Sequence, residues 1–200
     1  MIKMSAKAKK KGQSDQSKEF EEIWKSPMRK PYLEKIVLNI GVGVGGEELE
    51  KAASVLKQIT GKDPVKTLSK VNVKEFNLRI GRPIGCKITI RRQEAEKLLK
   101  RLLIVNNNKM LRKSFDNFGN FGFGIDEHIK IPQTEYEADI GLWGLDVCGR
   151  IVRPGMRVKT RRKSRSKVSR HHYIAKAEAH YFLKQNFGVD IVNKLDLEYI

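Results

Sequence analysis

Apolar and polar residues alternate with a period of two over "KIVLNIGV". Ile36, Leu38, Ile40 and Val42 fall on one side and Lys35, Val37 and Asn39 on the other, which predicts a strand with one buried face. "PIGCKITIRR" repeats the pattern, with Ile84, Cys86, Ile88 and Ile90 set against Lys87, Thr89 and Arg91. Between these runs the period lengthens. Leu49, Ala52, Ala53, Leu56 and Ile59 line one side of a helix over residues 47–60, which Gly61 ends. A second helix over 93–104 carries the stripe Ala95, Leu98, Leu99 and Leu102.

The remaining elements are shorter. "PVKTL" reads as a brief strand, and "NFGFGI" sets Phe121, Phe123 and Ile125 opposite Gly122 and Gly124. An extended segment runs from Ile140 to Val152 through Trp143, Asp146 and Cys148. "IAKAEAHYFLKQNFG" predicts a last helix, with Ala175, Ala179, Phe182 and Leu183 in line and Gly188 as its stop. No internal repeat is present. The pattern predicts an α+β fold with a mostly antiparallel sheet, helices packed on its apolar face and its polar face left open. That domain covers residues 28–192. Residues 1–27 make a basic extension too poor in apolar surface to order itself, and 193–200 a short tail.

Charge decides the partner class. Lys and Arg number 41 against 23 Asp and Glu, a net charge of +18, which attracts polyanions. A membrane is not the partner expected: no apolar run approaches the ~20 residues of a span, and "MIKMSAKAKKKG" lacks the apolar core of a signal peptide. The face bearing Lys35, Asn39, Lys87, Thr89 and Arg91 carries no acid in these two strands, as a ligand-docking face would, where a merely solvated face would mix both signs. Residues 153–172, "RPGMRVKTRRKSRSKVSRHH", hold Arg153, Arg157, Lys159, Arg161, Arg162, Lys163, Arg165, Lys167 and Arg170 with no carboxylate at all. A solvated surface would interleave acids; a chain laid along phosphates needs this composition, because each neutralised phosphate releases counterions. His171 and His172 lie in the same run and read as further polyanion contacts, while His128 and His180 are isolated residues with packed or surface roles.

The glycines of "NIGVGVGGEELE" invite a different reading. Gly41, Gly43 and Gly46 satisfy the G-x-G-x-x-G of dinucleotide sites. But Glu47, Glu48 and Glu50 fill the helix start where a pyrophosphate would sit. The acid due ~20 residues onward at a second strand end is missing, and strand–helix alternation does not continue. These glycines turn the backbone sharply, and no cofactor is expected. Cys86 and Cys148 have no partner at metal-ligand spacing and read as buried, reduced thiols. No nucleophile elbow, metal cluster or paired carboxylate points to an enzyme. In "FDNFGNFGFG" the aromatics could stack on bases, but the alternation of Phe121 and Phe123 favours a core role.

"MRKPYLEKIVLNIGVG", "LEKAASVLKQITGKDPVKT", "IGRPIGCKITIRR", "SFDNFGNFGFGIDEHIKIP", "YEADIGLWGLDV" and "RPGMRV" resemble, in this order, the large-subunit ribosomal protein family that binds 5S rRNA, the universal fifth protein of that subunit. The likeness runs from Pro27 to Val192 and leans to the archaeal form. It implies a structural component of the cytoplasmic large subunit, not an enzyme, whose concave sheet face docks 5S rRNA in the central protuberance. Asn39 and Thr89 match the family's RNA contacts, and Lys35, Lys87, Arg91, Lys62 and Lys70 join them. The loop Phe76, Asn77, Leu78, Arg79, Ile80, Gly81, Arg82 and Pro83 would lie near peptidyl-site tRNA, with Arg79 and Arg82 on phosphates. Contacts with the large-subunit rRNA and neighbouring ribosomal proteins are also implied. Two departures stand out. "GKDP" replaces the common "GQKP", giving the contact to Lys62 with Asp63 nearby. "LSKV" replaces "RAKK", so Lys70 remains but Leu68 and Val71 are uncharged. The rival expectation is an RNA chaperone or regulator of the same fold working outside ribosomes.

Overall fold

A computed structural model describes residues 18–193. The predicted tail from 194 onward, and residues 1–17 of the predicted extension, lie outside that range. Five strands form one antiparallel sheet in the order β2-β3-β1-β6-β5: β1 Tyr32–Gly41, β2 Val65–Leu68, β3 Pro83–Arg91, β5 Asn120–Ile125 and β6 Leu145–Val152. The alternation predicted for β1 and β3 is the alternation observed. Ile36, Leu38 and Ile40 pair with Ile90, Ile88 and Cys86 on the buried side.

Two helices cover that side, α1 (Glu47–Thr60) against β3 and α2 (Arg92–Val105) mainly against β1. α1 buries Leu49, Ala52, Val55, Leu56 and Ile59, and α2 buries Ala95, Leu98, Leu99, Leu102 and Leu103. Each of the larger side chains contributes about 1.5–3 kcal/mol when removed from water. Gly61 ends α1 in the left-handed conformation, as the sequence predicts. The strand-to-helix turn needs its glycines for backbone reasons: Gly43 and Gly46 sit at φ +83° and +111°. At Gly149 the reason is space, since a Cβ there would overlap the ring of Phe121.

The sequence reading is extended in three places. β4 (Lys109–Leu111) and β7 (Asp190–Val192) pair in parallel as a small second sheet. Beyond a short helix α3 (Arg157–Thr160), the last helix α4 spans Lys176–Phe187. Ala175 therefore precedes it and is exposed, while Glu178 joins Ala179, Phe182 and Leu183 in the interior. Residues 18–24, assigned to the extension by composition, are helical. Trp24 packs its ring on Tyr181 and Phe182 of α4 at centroid distances of 5.3 and 6.3 Å.

A candidate RNA interface

Strand register decides what the open face presents. Three rows cross it. Lys87, Asn39, Asp146 and Gly124 form the first; Thr89, Val37, Cys148 and Gly122 the second; Arg91, Lys35, Arg150 and Asn120 the third. Asn39 and Thr89 thus share one face, in adjacent rows on neighbouring strands. Among the described residues neither side chain has a hydrogen-bond partner within the protein, so both are free to donate and accept. On the β5 side, where Gly122 and Gly124 lie, Asn120 is the residue that projects a side chain onto the face.

β6 alters two expectations for this face. Cys148 is exposed rather than buried, because Val147, Gly149 and Ile151 take the inward positions of β6 and leave Asp146, Cys148 and Arg150 outward. The face is also not free of acid. Asp146 lies directly across from Asn39, and Glu34, at the irregularity between Leu33 and Lys35, pairs with Arg150 at 3.3 Å. Cys86 is buried as expected, and burial pushes its thiol up to about 11.

The basic segment leaves the end of β6 and is pinned at its base. Arg153 is buried, 8% exposed; its Nη2 donates to both carboxylate oxygens of Glu178 at 2.6 and 2.8 Å, and its Nη1 donates to the His171 carbonyl at 3.3 Å. Trp24 Nε1 donates to the same carboxylate at 2.9 Å. His172 Nε2 donates to the Pro154 carbonyl at 2.7 Å, closing the loop from its other end. Two sequence assignments change accordingly. Arg153 is an interior clamp, not a phosphate contact, because its guanidinium is consumed by a buried carboxylate. His172 is a half-buried staple instead of a solvated contact.

Between these staples the other cations face solvent. Arg157, Lys159, Arg161, Arg162, Lys163, Arg165, Lys167 and Arg170 are all exposed, and none makes an ion pair among the described residues. Several bond to the loop itself: Arg161 Nε to the Ser164 carbonyl at 2.8 Å, Arg165 Nε to the Arg161 carbonyl at 2.7 Å. These contacts order the loop without neutralising it. Of the two cations bordering the face, Lys62 pairs with Glu94, while Lys70 is exposed.

Pro83 opens β3, and the loop before it is a folded projection. Val73 and Leu78 bridge across it, Ser69 N donates to the Arg82 carbonyl at 2.8 Å, and Ile80 N donates to Asn72 Oδ1 at 2.8 Å. Its tip exposes Phe76 at 71% and Ile80 at 64%, with Arg79 and Arg82 beside them.

Of the isolated histidines, His128 is buried and accepts at Nδ1 from Trp143 N, 3.3 Å away. Burial lowers its pKa. His180 packs edge-on to Phe115 at 4.4 Å. Burial, then the nearby charges of Lys176 and Arg112, lower it to about 4. The described residues contain no metal-holding cluster and no helix long and apolar enough to cross a membrane.

A one-sided α+β sheet with an open hydrogen-bonding face lies beside a basic loop that has no acidic partner among the described residues, the kind of surface that attracts polyanions. Comparison with known proteins gives the family. Residues 26–79 match the model of ribosomal protein L5, and residues 83–184 match the model of the C-terminus of the same ribosomal family. The chain is 46% identical over 165 residues to the large ribosomal subunit protein uL5 of Pyrobaculum aerophilum, covering 82% of this chain and 92% of that protein. It is 47% identical over 168 residues to uL5 of Sulfurisphaera tokodaii (84% and 95%), and 45% over 166 residues to that of Nitrosopumilus maritimus (83% and 96%). The chain belongs to the ribosomal protein L5 family, a family of ribosomal structural proteins, not of enzymes.

Proposed function

We propose that the protein is a structural component of the cytoplasmic large ribosomal subunit that docks 5S rRNA on the open face of its sheet. The observation carrying this reading is the register that sets Asn39 and Thr89 in adjacent rows, unpartnered, beside Lys35, Lys87 and Arg91. Side chains that both donate and accept suit the 2′-hydroxyls and base edges of a shallow RNA groove. Lys62 and Lys70 border the face. Phosphate neutralisation by the exposed cations of the 157–170 segment supplies affinity, and the sheet sets position. The same segment contacts the large-subunit rRNA, neighbouring ribosomal proteins complete the environment, and no cofactor is needed. The folded loop 76–83 reaches toward peptidyl-site tRNA. Membership of the ribosomal protein L5 family supports this function.

The test is competition binding to 5S rRNA against an unrelated RNA of equal length as salt is raised, together with the sedimentation of tagged protein from cells. Preference for 5S rRNA that persists at high salt, and recovery with large subunits, is the expected result. Equal binding to both RNAs, lost together with salt, would reduce the protein to a nonspecific polycation.

A further inference from the structure

The sheet face and the basic segment meet in a groove of about 650 Å³. That volume is within the usual range for a small-molecule site. Val37, Gly122 and Cys148 form its uncharged floor; Phe118 and Tyr173 stand in its wall; Lys35 and Lys159, neither with an ion-pair partner among the described residues, also line it. Asp116 is the one acid in its lining, and its carboxylate is engaged by its own loop, accepting from Phe118 N and Asn120 N at 2.8 Å each.

The two rings differ. Tyr173 is occupied: Lys159 Nζ lies 5.2 Å from its centroid and donates to its hydroxyl at 2.9 Å. Phe118 meets Tyr173 edge to face at 5.4 Å and is still 48% exposed. Its backbone is fixed by the Asp116 turn and by Gly119, whose φ is +81° and whose Cβ, if present, would crowd the Ile151 carbonyl at 3.0 Å. The edge-to-face contact with Tyr173 leaves the Phe118 ring 48% exposed, beside an uncharged row whose β5 position is a glycine. A Cβ at Gly122 would make only ordinary contacts, the nearest at 3.5 Å, so the protein's own packing does not require the floor to be empty.

From this geometry we infer that the groove is a slot for one unpaired nucleobase of the bound RNA, stacked on Phe118 with its phosphates held by Lys35 and Lys159. A phosphate alone would be served by the cations and would not need a flat apolar floor. Stacking is tolerant of base identity because every base has a π-face, so the slot recognises an extruded or single-stranded nucleotide rather than a sequence. This inference rests on the RNA-docking reading above and adds to it a contact that duplex RNA cannot make.

The test compares the full-length wild type with Phe118→Ala, Phe118→Trp and Gly122→Val. The probes are 5S rRNA, a 12-nucleotide oligoadenylate carrying one 2-aminopurine, and an RNA duplex of equal length. Phe118→Ala is expected to weaken both 5S rRNA and oligoadenylate about 5- to 100-fold. Its salt slope should not change, its duplex binding should stay at the wild-type level, and the 2-aminopurine quenching should be lost. Phe118→Trp should retain binding and quenching, and Gly122→Val should lose them at an unchanged melting temperature. Wild-type affinity of Phe118→Ala or Gly122→Val for both single-stranded probes overturns the slot. So does an equal loss on the duplex. Failure of the wild type to prefer 5S rRNA over an unrelated RNA would instead overturn the 5S reading, leaving the slot to be judged on oligoadenylate alone.

Discussion

The open sheet face and the 154–172 loop are both basic in sequence, yet the fold treats their charges in opposite ways. On the face, cations are interleaved with other chemistry: Asp146 sits across from Asn39, and Arg150 is paired with Glu34. Position there is fixed by a ladder of strands, so each hydrogen-bonding group has a definite place. On the loop, eight exposed cations have no acidic partner among the described residues, and only the base is clamped, by Arg153, Glu178 and His172. The lesson is that net charge does not locate specificity. A face whose charge is partly offset by Asp146 and Glu34 and whose hydrogen-bonding groups have fixed places can discriminate one RNA from another, and a loop with uncompensated charge attracts them all.

Breaking the clamp should have the largest effect. Glu178→Gln leaves Arg153 buried without its countercharge, and we expect a loss of about 3–5 kcal/mol of stability by denaturant unfolding. A loss below about 1 kcal/mol, the scale of an exposed pair, would mean that the loop is not held through this contact. Next comes acid. His180 binds its proton near pH 4 when folded and near 6.5 when unfolded. The unfolded chain therefore takes up the proton first, and stability falls as pH drops from about 6.5 toward 4, by roughly 2–3 kcal/mol at the lower end. Because His180 supports Phe115, in the segment leading to Phe118, His180→Phe should flatten this part of the stability–pH curve. An unchanged curve would remove His180 from the account.

RNA binding separates the two regions at smaller effects. Changing Arg161, Arg162 and Lys163 to Ala should lower affinity for every RNA about tenfold and reduce the log–log salt slope by about 2–3. An unchanged slope would show that these residues do not touch phosphate. Asn39→Ala should cost about 1–2 kcal/mol on 5S rRNA alone, by leaving polar groups unpaired, with the slope intact.

Much of this was legible in the chain. The period of two in β1 and β3 and the stripes of α1 and α2 specify the layers, because a one-residue slip would have exposed Ile36, Leu38 and Ile40. Family motifs pointed to the family to which the chain belongs. Other features were hidden for physical reasons. Composition counts Arg153 among its neighbours and cannot see that it follows two buried residues and meets Glu178 25 positions later. Cys148 reads as buried in isolation, yet Asp146 and Arg150, two positions to either side, mark the outward register it shares. Phe20, Ile23 and Trp24 carry a helical spacing that the surrounding charges masked. β4 and β7 pair across most of the C-terminal half with three residues each, too few for any periodic signal.

The division of labour between face and loop is tested most directly by salt titrations of two variants on 5S rRNA and on an unrelated RNA of equal length. One variant carries Asn39→Ala with Thr89→Ala, and the other the three loop substitutions. The face variant should lose discrimination at an unchanged slope, and the loop variant should lose slope while still preferring 5S rRNA. If both variants changed the same quantity, face and loop would be one undivided surface, contrary to the account.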